Sequence, residues 1–308
     1  NKMKKKSLVT VCVITYNHEK FIEKALDSVL MQTTDFNVEI MIGDDSSTDK
    51  TTTICKKYSE KYNNIHHISR EKNIGMNANW MDTIRSANGK YIALLEADDY
   101  WINKNKLQKQ VDFLEKNNRY VLCSHEIFLD NPYLKKGFYN FLKVLLVDFK
   151  LNGFYFASKK FVLFFKNSKL FWKRRRLYTL NKRYQTGNLK TALDTALNQR
   201  YIHTSTIVAS SDILKSMPDG AFSFAIGHKI SVLWTAMHGL QKHFNEVMAT
   251  RVVHADASSM TKREKKTNSK EKQIELDIKL LKYLCIFDNS TAVIRNKIKQ
   301  LQNQLKKI

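Results

Sequence analysis

Proline, cysteine and acidic side chains are all scarce in this 308-residue chain. Two prolines and nine glycines leave no low-complexity tract, and no internal repeat is visible, which excludes repeat architectures. The four cysteines (Cys12, Cys55, Cys123, Cys285) are scattered without metal-ligand spacing. Cys12 and Cys123 lie in apolar, strand-like runs and are expected to be buried thiols, which fits a reducing, cytoplasmic compartment. No run approaches the roughly 18 apolar residues of a membrane-spanning helix. The opening Asn1 to Lys6 reads as free of a secretory signal, with Met3 expected as the native start. Acids are outnumbered, 29 Asp and Glu against 52 Lys and Arg, for a net charge of +23. The surplus is concentrated: between Lys135 and Lys190, 15 Lys or Arg stand against one acid, Asp148, a local +14. Such a patch favours an anionic surface, either nucleic acid or acidic lipid.

What is present is a core and a regular alternation. Hydrophobic residues make up 43% of the chain. Leu8–Thr15 reads as a continuous apolar strand of the kind buried on both faces. Asn17 is expected to cap a helix from about Glu19 to Met31, with Phe21, Ile22, Ala25, Leu26 and Val29 on one stripe. Further strands are expected at Val38–Ile42, Ile65–Ile68, Tyr91–Leu95 and Tyr120–Ser124. Helices are expected to about Tyr62, to about Ala87, and over Lys106–Lys116. Repeated strand–helix–strand units imply right-handed crossovers and an α/β fold with a mostly parallel sheet.

Four segments follow from the pattern: 7–130, 131–200, 201–262 and 270–308. Residues 131–200 interleave aromatics with basic residues, Trp172-Lys173-Arg174-Arg175-Arg176 above all. They read either as an ordinary helical insertion or as a surface that dips rings into a bilayer interface while cations meet anionic head groups. In 270–308, apolar residues at Ile274, Ile278, Leu281 and Cys285, then Ile294, Ile298, Leu301, Leu305 and Ile308, form a narrow seam. It can dock on the domain, on a second subunit or on a membrane.

The densest chemistry lies at the end of the strand Tyr91–Leu95. Glu96, Asp98 and Asp99 occupy three of four positions. Like charges this close repel, and a divalent cation such as Mg²⁺ or Mn²⁺ removes the penalty. Ligands of open α/β sheets bind beyond the carboxyl ends of the strands, where these acids fall. A solvated acidic turn is the other reading. His66 and His67 read as structural.

Four motifs then occur in order: Val13-Ile14-Thr15-Tyr16-Asn17, Gly43-Asp44-Asp45-Ser46-Ser47-Thr48-Asp49, Asn73-Ile74-Gly75 and Glu96-Ala97-Asp98-Asp99-Tyr100-Trp101. Together they resemble the family 2 glycosyltransferases of the GT-A fold, strongly over 7–125 and more weakly over 201–260. The resemblance implies a Rossmann-like sheet flanked by helices, with the basic aromatic insertion and C-terminal helices added. It implies transfer, with inversion, of a sugar from a nucleotide-diphosphate donor, commonly UDP-linked, to a hydroxyl of a cell-envelope or lipid-linked glycan. Such an enzyme would be peripheral on the inner face of the cell membrane.

The resemblance also assigns roles. Asp45 would accept a hydrogen bond from a pyrimidine N–H. Thr15, Tyr16 and Asn17 would line the same crevice, with Glu19 and Asn79 beside them. Glu96-Ala97-Asp98 would correspond to the Asp-x-Asp metal motif, Asp98 making the better metal contact, for Mn²⁺ or Mg²⁺. Asp99 would contact sugar or acceptor, His254 would complete the metal site, and the hydroxyls of Tyr201–Thr206 would face the sugar or merely be solvated. The departure is Gly227-His228, where the family commonly has Gly-Asp, its general base. Three possibilities stay open: His228 is the base, Asp219 or another acid is, or the protein is a weak or inactive member acting as a binding partner. A nucleic-acid-binding protein is the remote alternative, because no recognition motif accompanies the charge.

Overall fold

The computed structural model describes residues 8–130, 197, 202–225, 227–254, 270–287 and 292–306. The basic aromatic segment 131–200 and the linker that follows Val253-His254 thus lie outside the described residues, Leu197 excepted.

The first 120 described residues alternate as the periodicity predicts. In order they form β1 (Val9–Thr15), α1 (Ile22–Leu30), β2 (Val38–Asp44), α2 (Thr51–Lys61), β3 (Ile65–Ser69), α3 (Met76–Arg85), β4 (Tyr91–Glu96), the short β5 (Tyr100–Trp101), α4 (Lys106–Lys116) and β6 (Tyr120–Asp130). A single 3₁₀ turn, Thr204–Thr206, precedes β7 (Val208–Ser210) and α5 (Ser211–Lys215). A second, Asp219–Ser223, leads to α6 (Gly227–His238), β8 (Leu240–Val252), α7 (Lys270–Leu284) and α8 (Ala292–Leu305).

All eight strands join one sheet in the order β3-β2-β1-β4-β7-β6-β8-β5. β3, β2, β1 and β4 run parallel, so Thr15, Asp44, Ser69 and Glu96 end on one edge of the sheet. β7 enters antiparallel between β4 and β6, and β6 pairs parallel with β8. This is the GT-A arrangement, an α/β sheet covered by helices on both faces.

The double covering explains why β1 and β4 read as unbroken apolar runs. Val9, Val11, Val13, Tyr91, Ala93 and Leu95 face one core, beneath α1, α2 and α4. Cys12, Ile92 and Leu94 face the other, beneath α3, α5 and α6. Cys12, Cys55 and Cys123 are buried free thiols.

The C-terminal seam settles into that second core. Ile274, Ile278, Leu281, Ile294, Ile298 and Leu301 are buried there, and Lys229 on α6 is ion-paired with Asp277 on α7. Of the three destinations open to the seam, the structure shows the domain itself. Ile286 and Phe287, at the end of α7, stay exposed. Among the described residues no helix is long and apolar enough to cross a membrane.

Candidate functional site

The carboxyl edge of the parallel strands is built from loops that fasten one another. Asn17 does not cap α1, which begins only at Ile22 behind Phe21. Asn17 instead adopts a left-handed backbone (φ 56°), and its side-chain oxygen accepts the N–H of Thr48 at 2.8 Å. Asn can take this conformation because its short side chain bonds locally. Glu19 braces the same loop: its N–H donates to Asp49 at 3.0 Å, and its carboxylate accepts from the N–H of Lys50 at 3.1 Å. Asp44 holds the turn, accepting from the N–H and hydroxyl of Ser47 and from the Thr52 hydroxyl.

Asp45 closes the next gap. Its carboxylate oxygens accept the N–H groups of Ile74 (2.8 Å) and Gly75 (3.0 Å). Gly75 sits at φ 88°, a region side chains resist, so the Asn73-Ile74-Gly75 turn can present both N–H groups to one carboxylate. Thr15 is buried beside it, and Tyr16 is 44% exposed at the rim.

Asn79 lies behind the wall. Its amide donates to Gly43 at 2.8 Å and its oxygen accepts Arg70 Nε at 2.9 Å. Arg70, just past β3, is 3.3 Å from Asp82 through Nη1, while its buried Nη2 has no hydrogen-bond partner among the described residues. The sequence reading missed Arg70; the one available signal was a basic residue directly after a strand whose neighbours end at the cleft.

The acidic turn divides its carboxylates between two neighbouring groups. Asp98 meets His254, with Oδ2 3.0 Å from Nε2. His18 joins them, and the ligand atoms of His18, Asp98 and His254 all lie within 4.8 Å of one another. Glu96, expected beside Asp98 as a ligand, is grouped instead with Asp99 and His203.

Asp99, expected to reach the sugar or acceptor, is 2% exposed. It accepts the Ser205 hydroxyl at 2.6 Å and the N–H of Val252 at 3.2 Å. Ser205 Oγ in turn accepts the N–H of Glu96 at 3.2 Å. Thr204, Ser205 and Thr206 are buried, so their hydroxyls are not solvated; Ser205 donates to Asp99 and Thr206 to the His203 carbonyl. Ala97 is buried too, its N–H on Ile14 O at 3.2 Å, pinning the turn to β1.

These surroundings split the acids electrostatically. Burial would raise Asp98, but the His254 hydrogen bond and the nearby His18, His254 and His203 rings hold it below the usual carboxylate range. Burial and the neighbouring Asp98 push Glu96 up to about 7. Burial, Asp98 and Glu96 push Asp99 well above its ordinary value.

His228 stands on the first turn of α6. Gly227 before it lies against the Trp80 indole, where an added Cβ would come within 2.9 Å of the ring. Burial, then Lys229 and Arg251, push His228 down to about 4, so its imidazole is neutral at pH 7. Arg251 also acts on Glu96, Asp99 and His203. Asp219, the other candidate base, is ion-paired with Arg85 at 2.7 Å and its side chain is 73% exposed.

The sheet order and the helices on its two faces are those of the GT-A fold. The model of Glycosyl transferase family 2 matches residues 10–191, more than half of the chain, and the chain belongs to that family. A Mycobacterium tuberculosis protein of uncharacterized function is 41% identical over 120 residues, 39% of this chain and 35% of its own length. TuaG of Bacillus subtilis, named for teichuronic acid biosynthesis, is 38% identical over 109 residues, 35% of this chain and 42% of its own. The matches thus span well under half of these relatives.

Two solved structures share the fold. Staphylococcus aureus TarS with UDP-GlcNAc covers 96% of this chain and 71% of its own, with TM-score 0.61 and 17% identity. The mannosyltransferase PcManGT of Pyrobaculum calidifontis, with GDP-Man and Mn²⁺, covers 98% and 70%, with TM-score 0.54 and 16% identity.

Proposed function

We propose that this chain moves a sugar, with inversion and with a divalent cation, from a nucleotide-diphosphate donor to a hydroxyl of a cell-envelope or lipid-linked glycan. The observation that carries the reading is the approach of Asp98 and His254 at the carboxyl edge of the sheet, the edge where β2 also ends before Asp45. The donor chemistry fits a dication: a carboxylate and an imidazole meet at the end of the sheet, both of them common ligands of divalent ions. When bound, Mn²⁺ or Mg²⁺ supplies charge that neutralises the departing diphosphate. The nucleotides in the two fold relatives support UDP, with GDP as the other arm of a screen.

The chain's own residues do the rest. Thr15 and Asp45 line the base end of the cleft, with Tyr16 exposed at its rim. Each Asp45 oxygen keeps a second lone pair for a donor N–H. Arg70, aimed by Asn79 and paired with Asp82, braces the wall behind the pocket. Asn17 and Glu19 hold the loop that shapes the pocket. Asp99, from its buried place, fixes the turn that carries Asp98. His228, neutral at physiological pH, takes the proton of the acceptor hydroxyl while that oxygen attacks the anomeric carbon.

The test is metal-dependent hydrolysis or transfer across UDP- and GDP-sugars, comparing wild type with Asp98→Ala. Turnover is expected to fall about 10²-fold or more, since metal charge stabilisation is worth several kcal/mol. Full metal-dependent turnover in the variant overturns the reading. A second reading, a donor-binding but weakly active family member, draws on the depressed basicity of His228. It predicts measurable donor binding with little transfer, and a gain on His228→Asp.

A place on the cytoplasmic face of the membrane, with 131–200 against anionic lipid, completes the proposal. Its support is the basic block between Lys135 and Lys190.

A further inference from the structure

We propose that His18 is a third protein ligand of the dication, so that the site is two imidazoles and one carboxylate and favours first-row transition ions, Co²⁺ and Zn²⁺ above Mn²⁺, over Mg²⁺. This deepens the preceding reading and rests on its premise that the cleft takes a dication.

Three independent placements bring His18 there. It follows the left-handed Asn17, and its backbone N–H is tied to Thr51 at 2.8 Å, which fixes the start of the side chain. Its Nδ1 lies 3.2 Å from the Thr15 hydroxyl, leaving Nε2 as the nitrogen free to bind. A hydrogen bond to one ring nitrogen is how metal-binding histidines are usually oriented. The His18 and His254 rings stand at 89° with centroids 6.3 Å apart, so they do not stack face to face. His254 is held in turn by the Phe21 ring, 4.4 Å away.

The acids that would make the set all-oxygen are drawn elsewhere. Glu96 and Asp99 belong to the separate group with His203, and Asp99 is bonded to Ser205 and Val252. What remains at Asp98 is nitrogen, nitrogen and oxygen. Imidazole suits Co²⁺ and Zn²⁺ and binds Mn²⁺ more weakly, whereas Mg²⁺ prefers carboxylate, phosphate and water oxygens. The other account of the same contacts is a metal-free ring cluster in which His18 only packs.

The experiment titrates Mg²⁺, Mn²⁺ and Co²⁺ into metal-free protein without nucleotide, by calorimetry, with pulsed paramagnetic resonance on bound Mn²⁺. Wild type is expected to bind Co²⁺ and Mn²⁺ at least about tenfold more tightly than Mg²⁺. The resonance should show two coordinated imidazole nitrogens. His18→Gln and His18→Ala should weaken Mn²⁺ and Co²⁺ by at least about tenfold and leave one nitrogen, with thermal melts reporting whether each variant is folded. Should a variant not fold, the two-nitrogen signal of wild type decides alone.

One nitrogen in wild type, unchanged affinity in a folded His18 variant, or Mg²⁺ bound as tightly as Co²⁺ overturns the inference. If Asp98→Ala then still loses the metal, the transferase reading stands without His18. If no ion binds with or without nucleotide, both fall.

Discussion

His228 shows how a site residue legible in the sequence acquires a different chemistry once placed. An isolated imidazole has a pKa near 6.5. Burial, with Lys229 and Arg251 nearby, lowers it to about 4. The sign follows: between about 6.5 and 4 the unfolded chain binds a proton at this position and the folded chain does not. The stability that neutral His228 contributes is therefore complete above 6.5 and lost as pH falls through 4. As a base it remains available down to that lower value, but it is a weaker proton acceptor. If it carries the reaction, the acid limb of kcat/KM should lie near pH 4–5, and His228→Asp should change its shape. An acid limb at 6.5, identical in His228→Ala, would remove His228 from the mechanism. Asp98 was legible because its motif is local. His18 and Arg70 were not: each acquires meaning only when parallel pairing sets β1, β2, β3 and β4 side by side.

At the scale of elements, period-2 and period-3.6 patterns located β1 to β4 and α1 to α4, because each has one or two faces committed to a core. The pattern ended β6 at Ser124, yet the strand runs to Asp130. Its continuation carries His125 and Glu126, polar residues buried against β8, where hydropathy gives no signal. The turn 204–206 was legible as a hydroxyl-rich segment and illegible in direction, since hydroxyls suit solvent, sugar or a buried acid equally well. The structure makes it a clamp. Ser205 accepts the N–H of Glu96, donates to Asp99, and its carbonyl takes the Trp101 indole N–H at 2.8 Å. Ser205→Ala strands a buried carboxyl and a backbone N–H, which costs about 1–3 kcal/mol. A drop of roughly 3–10 °C in melting temperature is expected for a chain of this size. Metal affinity should fall with it, because the turn bearing Asp98 loosens. Unchanged melting and unchanged Mn²⁺ binding would show that the clamp holds nothing.

The whole molecule joins two parts of opposite character. One is a close-packed sheet whose C-terminal helices are absorbed into the second core, so their seam is spent inside the chain. The other is the block of +14 between Lys135 and Lys190, more than half of the net +23 carried in fewer than a fifth of the residues. An enzyme whose acceptor is lipid-linked gains from being held at the lipid surface, and each Lys or Arg near an anionic leaflet contributes about 1 kcal/mol. The clearest lever is Lys173-Arg174-Arg175-Arg176 beside Trp172. Changing all four to Ala removes up to about 4 kcal/mol, and at least a tenfold loss of binding to vesicles containing acidic phospholipid is expected. Wild-type binding should be absent on neutral vesicles and should weaken steeply with salt, since exposed charges are screened within about 10 Å at 0.1 M. Transfer to a soluble acceptor analogue should survive the change, separating attachment from chemistry. Equal binding to neutral and acidic vesicles would remove the charge of the basic block from the account, and binding to neither would remove the membrane. Salt-sensitive binding to nucleic acid in its place would then give the basic block a different partner.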